Sequence, residues 1–200
     1  MDAQLAELLD ELGEHGRTHD ADKADRLERL RNLESESAQL LAVLVRALAP
    51  ARLLELGTSN GYSTVWLADA VRSYGGQITS VEIEPERSAQ ARTNLERAGL
   101  AEFVELRVED AEQTLAGSGD GEWPLIFLDA ERPLYAGYWP GLVRVLGDGG
   151  LLIVDNVLSH AGEVAEFRAL VAGDGRFSEA LVPIGAGMLA IVKERRASGS

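Results

Sequence analysis

Two apolar runs of the chain each end in an aspartate. PLIFLDAER contains Asp129, with Arg132 three residues later, and GGLLIVDNV contains Asp155, followed by Asn156. A buried strand that ends in a carboxylate places a charge at the edge of a sheet, where it can contact a ligand. A plainer explanation stays open, because a strand-terminal Asp often caps the next helix and DN is a common turn signal.

A second candidate site lies in ELGTSNGYS, which joins an apolar run to a helical pattern. Gly57 and Gly61 would let a ligand approach the backbone of this turn closely. Glu55 precedes the turn, and Glu82 ends the next apolar run, where an acid can accept hydrogen bonds from both ribose hydroxyls. Ser59 replaces the middle glycine of the dinucleotide motif, and Glu55 would repel a pyrophosphate, so a nicotinamide dinucleotide is disfavoured.

These features favour a nucleoside that has no phosphate and carries a positive charge. S-adenosylmethionine (SAM) meets both conditions. Glu55 would match its ammonium group, while backbone N–H groups and Ser63 at the helix start would match its carboxylate. A glycine-rich turn that only packs against its neighbours is the alternative.

The elements that must position these residues alternate between short apolar runs and helical patterns, which predicts an α/β fold with a parallel sheet covered on both faces. The predicted strands are 51–56, 77–83, 103–108, 124–129 and 150–155, followed by a hairpin of FSEALVPI and GMLAIVKE. The predicted helices between them are 63–73, 86–98, 109–116, 135–146 and 163–171. Ligands bind such sheets outside the carboxyl ends of the strands, so Glu55, Glu82, Asp129 and Asp155 should share one rim.

The N-terminal residues 1–49 are predicted to be helical, because leucines recur at helical spacing within 5–12, 27–33 and 40–48. GEHGRTHDAD (13–22), with His15 and His19, predicts a loop between the first two of these helices. Residues 50–193 form the predicted ligand-binding core of a single domain, and 194–200 form a predicted disordered tail.

Composition restricts the classes of partner. The net charge of -14 argues against a nucleic-acid or anionic-membrane ligand, and no apolar run approaches the roughly 20 residues of a membrane span. Because the chain has no cysteine, a metal must bind to oxygen or imidazole. The N-terminus lacks the pattern of a signal peptide, so a cytoplasmic location is expected.

Four motifs taken together resemble the cation-dependent class I O-methyltransferases, the group of catechol and caffeoyl-CoA methyltransferases and their bacterial relatives. They are ELGTSNGYSTVWLA, VEIEPERSAQAR, DAERPLYAGYW and LLIVDNVL, and the resemblance covers residues 35–193. It implies a Rossmann-like, mostly parallel seven-stranded sheet with an antiparallel edge strand, helices on both faces and additional N-terminal helices. It also implies methyl transfer from SAM to a hydroxyl of a catechol-like aromatic small molecule, and a homodimer.

The resemblance assigns roles to individual residues. Asp129, Asp155 and Asn156 fall where the family binds a divalent cation, and three oxygen ligands suit Mg²⁺. The turn would hold the methionine part of SAM, Glu82 the ribose and the segment 109–111 the adenine. The candidate cofactor residues are Glu55, Gly57, Thr58, Gly61, Tyr62, Ser63, Glu82, Asp110, Ala111 and Asp129.

Arg132 departs from the family, which usually has a lysine there as the general base. Arginine keeps its proton in proteins, so Arg132 cannot accept one from a phenol. With Asp129 it is the candidate catalytic pair, and we expect Arg132 to stabilise a developing phenolate or to bind an acidic group of the substrate. The alternatives are that Arg132 only pairs with a nearby acid, or that the protein binds SAM without catalysis. Among the aromatic residues, Tyr135 and Trp139 could reach the rim.

Overall fold

The computed structural model describes residues 1–25 and 28–195, and it is built around one seven-stranded sheet. The strands are β1 Arg52–Leu56, β2 Gln77–Glu82, β3 Val104–Val108, β4 Trp123–Leu128, β5 Leu146–Val154, β6 Phe177–Val182 and β7 Met188–Lys193. Their order is β3-β2-β1-β4-β5-β7-β6. The first five strands are parallel, and β7 runs antiparallel to β5 and β6. The predicted fold class is therefore confirmed, with the antiparallel strands at one edge of the sheet.

The helices lie between the strands at the predicted places. They are α1 Ala3–Ala21, α2 Ser35–Leu48, α3 Tyr62–Arg72, α4 Pro85–Arg97, α5 Ala111–Gly117, α6 Tyr135–Val145 and α7 Ala165–Gly173. Most predicted bounds differ from these by one or two residues. The largest shift in a strand is at β5, which begins at Leu146 although Gly149 and Gly150 suggested a turn there.

Alternating side chains of the strands build two apolar cores, one on each face of the sheet. Leu53 and Phe127 belong to the core that α1, α2, α3 and α4 cover. Their neighbours Leu54 and Ile126 point the other way, into the core that α5, α6 and α7 cover. This alternation decides which residues at the carboxyl ends of the strands can reach a ligand there.

The predicted loop at 13–22 is wrong, because α1 continues to Ala21. Gly13 and Gly16 are buried glycines in the helix interior. A Cβ at Gly16 would overlap the Asn32 side chain, whereas one at Gly13 would lie at an ordinary contact distance of 3.7 Å from the Tyr62 ring. Gly16 thus allows Asn32 to pack closely on α1, although glycines usually indicate a helix end.

The second predicted helix, around Leu27, Leu30 and Leu33, is also wrong where the structure describes it. Residues 29–34 have no regular secondary structure, while Leu27 lies outside the described residues. Leu30 and Leu33 are nevertheless buried, so their spacing reflects burial in a non-helical segment. We call residues 28–34 the strap.

No described helix combines the length and the apolar character needed to cross a membrane. Residues 196–200 of the predicted tail lie outside the described residues.

Candidate active site

A cavity of about 470 Å³ opens at the carboxyl ends of β1, β2 and β4, beneath the strap. The strand order reverses between β1 and β4, so the cavity lies at the switch point where ligands bind open α/β sheets. Most of the predicted site residues line it: Gly57, Thr58, Tyr62, Ser63, Glu82, Asp110, Ala111, Asp129, Arg132 and Asn156. Three predicted residues, Glu55, Gly61 and Asp155, are not among the lining residues.

The two glycines of the turn after β1 allow close approach of different parts of the chain. Gly57 has φ +105°, and a Cβ there would lie 2.1 Å from the carbonyl oxygen of Asp129. Gly61 has φ +86°, and its Cβ would lie 2.9 Å from Ala91 on α4. Gly57 therefore brings the ends of β1 and β4 together beside the cavity, whereas Gly61 allows α3 to pack closely on α4 and does not line the cavity.

Glu55 does not reach the rim, contrary to the prediction. Its side chain lies on the α3 face of the sheet and is fully buried. The carboxylate accepts hydrogen bonds from the hydroxyls of Ser63 (2.6 Å), Thr64 (2.6 Å) and Ser80 (2.5 Å). Burial raises the pKa of Glu55 to about 7, although the three hydroxyl groups oppose this effect. Glu55 thus holds the start of α3 in place, because Ser63 and Thr64 belong to the first turn of that helix.

Ser63 connects Glu55 to the cavity. Its hydroxyl proton is donated to Glu55, so only the lone pairs of its oxygen remain for a ligand in the cavity. A hydroxyl in this state can accept a hydrogen bond from an ammonium group but cannot donate one to a carboxylate. This polarity is the reverse of the one predicted for Ser63.

Two further acids, Glu82 and Asp110, line the cavity. Glu82 accepts the backbone N–H groups of Ser59 at 2.7 Å and Glu84 at 3.0 Å, one with each carboxylate oxygen. Each oxygen can accept another hydrogen bond, which is what a ribose diol requires. Asp110 caps α5, since its carboxylate accepts the backbone N–H of Glu112 at 2.7 Å.

Asp129 and Asp155 are brought together by the hydrogen bonding of neighbouring strands. The backbone N–H of Asp129 donates to Leu56 at 2.9 Å, and that of Asp155 donates to Leu128 at 3.2 Å. The Asn156 amide bridges the two side chains, at 3.2 Å from Asp129 Oδ1 and 2.8 Å from Asp155 Oδ2. The three residues predicted as a cation site therefore form one cluster.

This cluster concentrates negative charge in a buried place. Burial raises the pKa of both Asp129 and Asp155, and for Asp155 the negative charge of Asp129 raises it further. Asp155 Oδ1 is buried and has no hydrogen-bond partner among the described residues. Two such carboxylates fit a hard cation, and the Asn156 oxygen joins them once the side-chain amide turns over, since its Nδ2 faces both carboxylates and its Oδ1 accepts from Ser159 at 3.4 Å. The described residues contain no group of three His, Cys, Asp or Glu side chains that could hold an ion, so Asp129 and Asp155 have no third acidic or imidazole partner there.

Two arginines lie near this cluster and oppose the effect of burial by lowering the pKa of Asp129. Arg132 is 3% exposed, and its Nε donates to Glu163 at 3.0 Å. Its Nη2 is buried without a hydrogen-bond partner among the described residues. Arg132 thus pairs with a nearby acid, as the simpler prediction proposed, and it is also one of the residues that line the cavity.

The second arginine, Arg31, was not recognised from the sequence. It belongs to the strap, and its Nη2 donates to Glu131 at 2.6 Å. The strap is fixed by Asp20 on α1, which accepts the backbone N–H groups of Leu30 at 2.7 Å and Arg31 at 2.8 Å. Ser59 of the turn donates its hydroxyl to the Leu30 carbonyl at 2.9 Å. These contacts hold the strap over the cavity.

Two aromatic residues, Tyr62 and Tyr138, are among the described residues that line the cavity. Tyr135 and Trp139, which were expected at the rim, are buried in the core on the α6 face. The Tyr135 hydroxyl donates to the Ala130 carbonyl at 3.1 Å, and the Trp139 ring packs edge-on against Phe167.

The chain is similar to proteins of known family. A model of the O-methyltransferase family matches residues 2–194. A catechol O-methyltransferase of Mycobacterium tuberculosis is 34% identical over 134 residues, which are 67% of this chain and 60% of that protein. Another, from Niastella koreensis, is 40% identical over 149 residues, which are 72% of this chain and 65% of that protein. The chain therefore spans less than two thirds of the length of both relatives.

A solved structure extends the similarity to almost the whole fold. The O-methyltransferase from Bacillus cereus in complex with SAH superposes with a TM-score of 0.78 and 25% identity, and the match covers 97% of this chain and 92% of that one. With the sheet order, the cavity at its switch point and the family match over nearly all of its length, the chain belongs to the O-methyltransferase family.

Proposed function

We propose that the protein transfers the methyl group of SAM to a hydroxyl of a catechol-like small molecule, assisted by a divalent cation. The observation that carries this proposal is that one cavity is lined by Glu82, by the turn, and by Asp129 and Asn156, the second of which donates a hydrogen bond to Asp155. The names of the two catechol O-methyltransferases and the SAH of the Bacillus cereus enzyme support it.

The SAM side of the cavity is formed by groups that suit a positively charged nucleoside. Glu82 accepts the ribose hydroxyls while its existing hydrogen bonds hold the turn in place. Ser63 accepts a hydrogen bond from the ammonium group, because its own hydroxyl proton is donated to Glu55. Asp110 and Ala111 line the adenine end.

Asp129, Asp155 and Asn156 are the residues that would hold the cation. When bound, Mg²⁺ would lower the pKa of a phenolic hydroxyl and fix the position of its oxygen. The buried Asp155 Oδ1, which has no partner among the described residues, would gain one. A bound cation would also offset the repulsion between the two carboxylates, which raises the pKa of Asp155.

Arg132 acts on the acceptor through electrostatics. It keeps its proton, and Glu163 holds its Nε, so the guanidinium has a fixed place beside Asp129. Its positive charge, which already lowers the pKa of Asp129, can stabilise negative charge that develops on an acceptor oxygen beside that residue. The proton of the acceptor hydroxyl passes to solvent, because arginine cannot receive it.

The decisive test is a methyl-transfer assay with catechol and SAM, with and without a chelator. We expect the chelator to abolish turnover and Mg²⁺ to restore it. Asp155→Asn should lower kcat at least about 100-fold, since even residues that only support metal ligands cost 10- to 100-fold when changed. Asp120→Asn, at a side chain that is 82% exposed, is the matched control and should retain turnover.

Turnover that is unaffected by the chelator would refute the role given to the Asp129 cluster. SAM binding without methyl transfer to any of a broad panel of hydroxylated acceptors would instead indicate a SAM-binding protein that is not an enzyme.

A further inference from the structure

Arg31 occupies an unusual position at the mouth of the cavity. Its backbone has φ +54°, a left-handed conformation that is uncommon for arginine. The two hydrogen bonds to Asp20 hold this conformation, and the side chain lines the cavity. A residue kept in a disfavoured conformation beside a ligand cavity is a candidate for a functional role.

Three arginines contribute to the described lining of the cavity, and they have different surroundings. Arg87 donates to the Arg29 carbonyl and follows Glu84 and Glu86 at the nucleoside end. Arg132 is almost fully buried against Glu163. Arg31 is 26% exposed, and the Glu131 side chain with which it pairs is 33% exposed. We call the part of the cavity beside Asp129 the acceptor end. The Arg31–Glu131 pair lies there, and solvent and ligands can reach both of its side chains.

We propose that Arg31 recognises a carboxylate on the acceptor, so that the preferred substrates are hydroxylated aromatic acids. This inference depends on the proposed function, because it names the class of acceptor. The planar guanidinium of arginine suits a carboxylate, which it can bind with two parallel hydrogen bonds. When the acceptor binds, its carboxylate takes the place of Glu131 beside Arg31, so the number of charges around Arg31 stays the same. The displaced Glu131 carboxylate is then solvated by water.

An acceptor with an ammonium group is the opposite case. It would have to pair with Glu131 while Arg31 lies 2.6 Å from that carboxylate and Arg132 lies beside Asp129. Glu163 pairs with Arg132, and Asp129 and Asp155 are the proposed ligands of the divalent cation, so Arg31 is the charge left for the acceptor once Glu131 is displaced, and the structure favours the acid.

The test compares kcat/KM for 3,4-dihydroxybenzoate with kcat/KM for catechol, which has the same diol and no carboxylate. We expect the wild-type protein to prefer the acid. Arg31→Met should lower the ratio of the two values about 10-fold or more, the loss expected for a charge-assisted hydrogen bond. Glu131→Gln should raise the ratio, since it removes the competing carboxylate. Arg17→Met, at an exposed arginine of α1, is the control for loss of charge and should leave the ratio unchanged.

A ratio that Arg31→Met does not change, or that Glu131→Gln lowers, would overturn the inference. A preference for a catechol with an aminoethyl substituent would also overturn the inference if Glu131→Gln abolished that preference. Such a result would assign recognition of the acceptor to Glu131. If no acceptor is methylated, the proposed function fails by itself, and calorimetric titration of 3,4-dihydroxybenzoate still tests Arg31. Binding that Arg31→Met weakens supports recognition of the carboxylate, whereas equal binding excludes it.

Discussion

The buried carboxylate of Glu55 shows how one residue can act on a ligand that it does not touch. Three hydroxyl groups satisfy it, and one of them, on Ser63, belongs to the cavity wall. Glu55 therefore sets the orientation of the Ser63 hydroxyl. Glu55 also titrates differently in the folded and unfolded chain, because burial raises its pKa from 4.5 to about 7.

This difference predicts a pH dependence of stability. Between these two pKa values the folded state binds more protons at Glu55 than the unfolded state, so the free energy of unfolding falls as the pH rises. The shift from 4.5 to about 7 corresponds to about 3 kcal/mol. The stability of the wild-type protein relative to Glu55→Gln should fall by roughly this amount between pH 4.5 and pH 8, measured by urea unfolding.

The exposed Glu102 provides the control, since Glu102→Gln should leave the pH dependence of the wild-type protein unchanged. If the stability curves of the wild-type protein and Glu55→Gln are parallel across this pH range, Glu55 does not titrate as described.

At the scale of elements, the strands were predictable and the N-terminal segment was not. Apolar runs identify β1, β4 and the end of β5 because these central strands are buried on both faces of the sheet, whereas β3 is an edge strand with partly exposed side chains. The path of α1 and the strap depends on contacts between residues far apart in sequence, such as the Asn32 amide with the Leu12 carbonyl at 3.0 Å. Gly13 and Gly16 suggested a loop, and the close packing of Asn32 on Gly16 is visible only in three dimensions.

The strap depends on Asp20, which predicts the effect of Asp20→Asn. An amide has one accepting oxygen, so it cannot accept both backbone N–H groups of Leu30 and Arg31 as the carboxylate does. We expect the strap to loosen, with faster tryptic cleavage within it and a several-fold higher Kd for SAM. Asp10→Asn, at an exposed position of α1, should have neither effect. Equal cleavage rates and equal Kd values in all three proteins would show that Asp20 does not hold the strap.

At the scale of the whole molecule, the sheet topology brings together acids from distant parts of the sequence. The parallel direction of β1, β2, β4 and β5 was predicted, and it correctly placed Glu82, Asp129 and Asp155 near one edge. Glu55 was misplaced because it shares a face with Leu53, two residues earlier in β1, and that face is covered by α3. The direction of the strands determines at which end of the sheet these residues lie. The alternation of side chains along each strand decides which of them reach the cavity.

The acidic edge and the net charge of -14 should also discriminate between SAM and its demethylated form, SAH. The two ligands differ by a methyl group and one positive charge, so an acidic cavity should favour SAM electrostatically. Salt weakens this preference, because the screening length falls from about 10 Å at 0.1 M to about 3 Å at 1 M. In the absence of divalent cations, raising NaCl from about 0.02 M to about 0.5 M should increase the Kd of SAM several-fold more than that of SAH, measured by calorimetry. Since SAH has nearly the same shape, it controls for effects of salt on the fold and on apolar contacts. The same salt dependence for both ligands would mean that the carboxylates at this edge act on the ligand only through local hydrogen bonds.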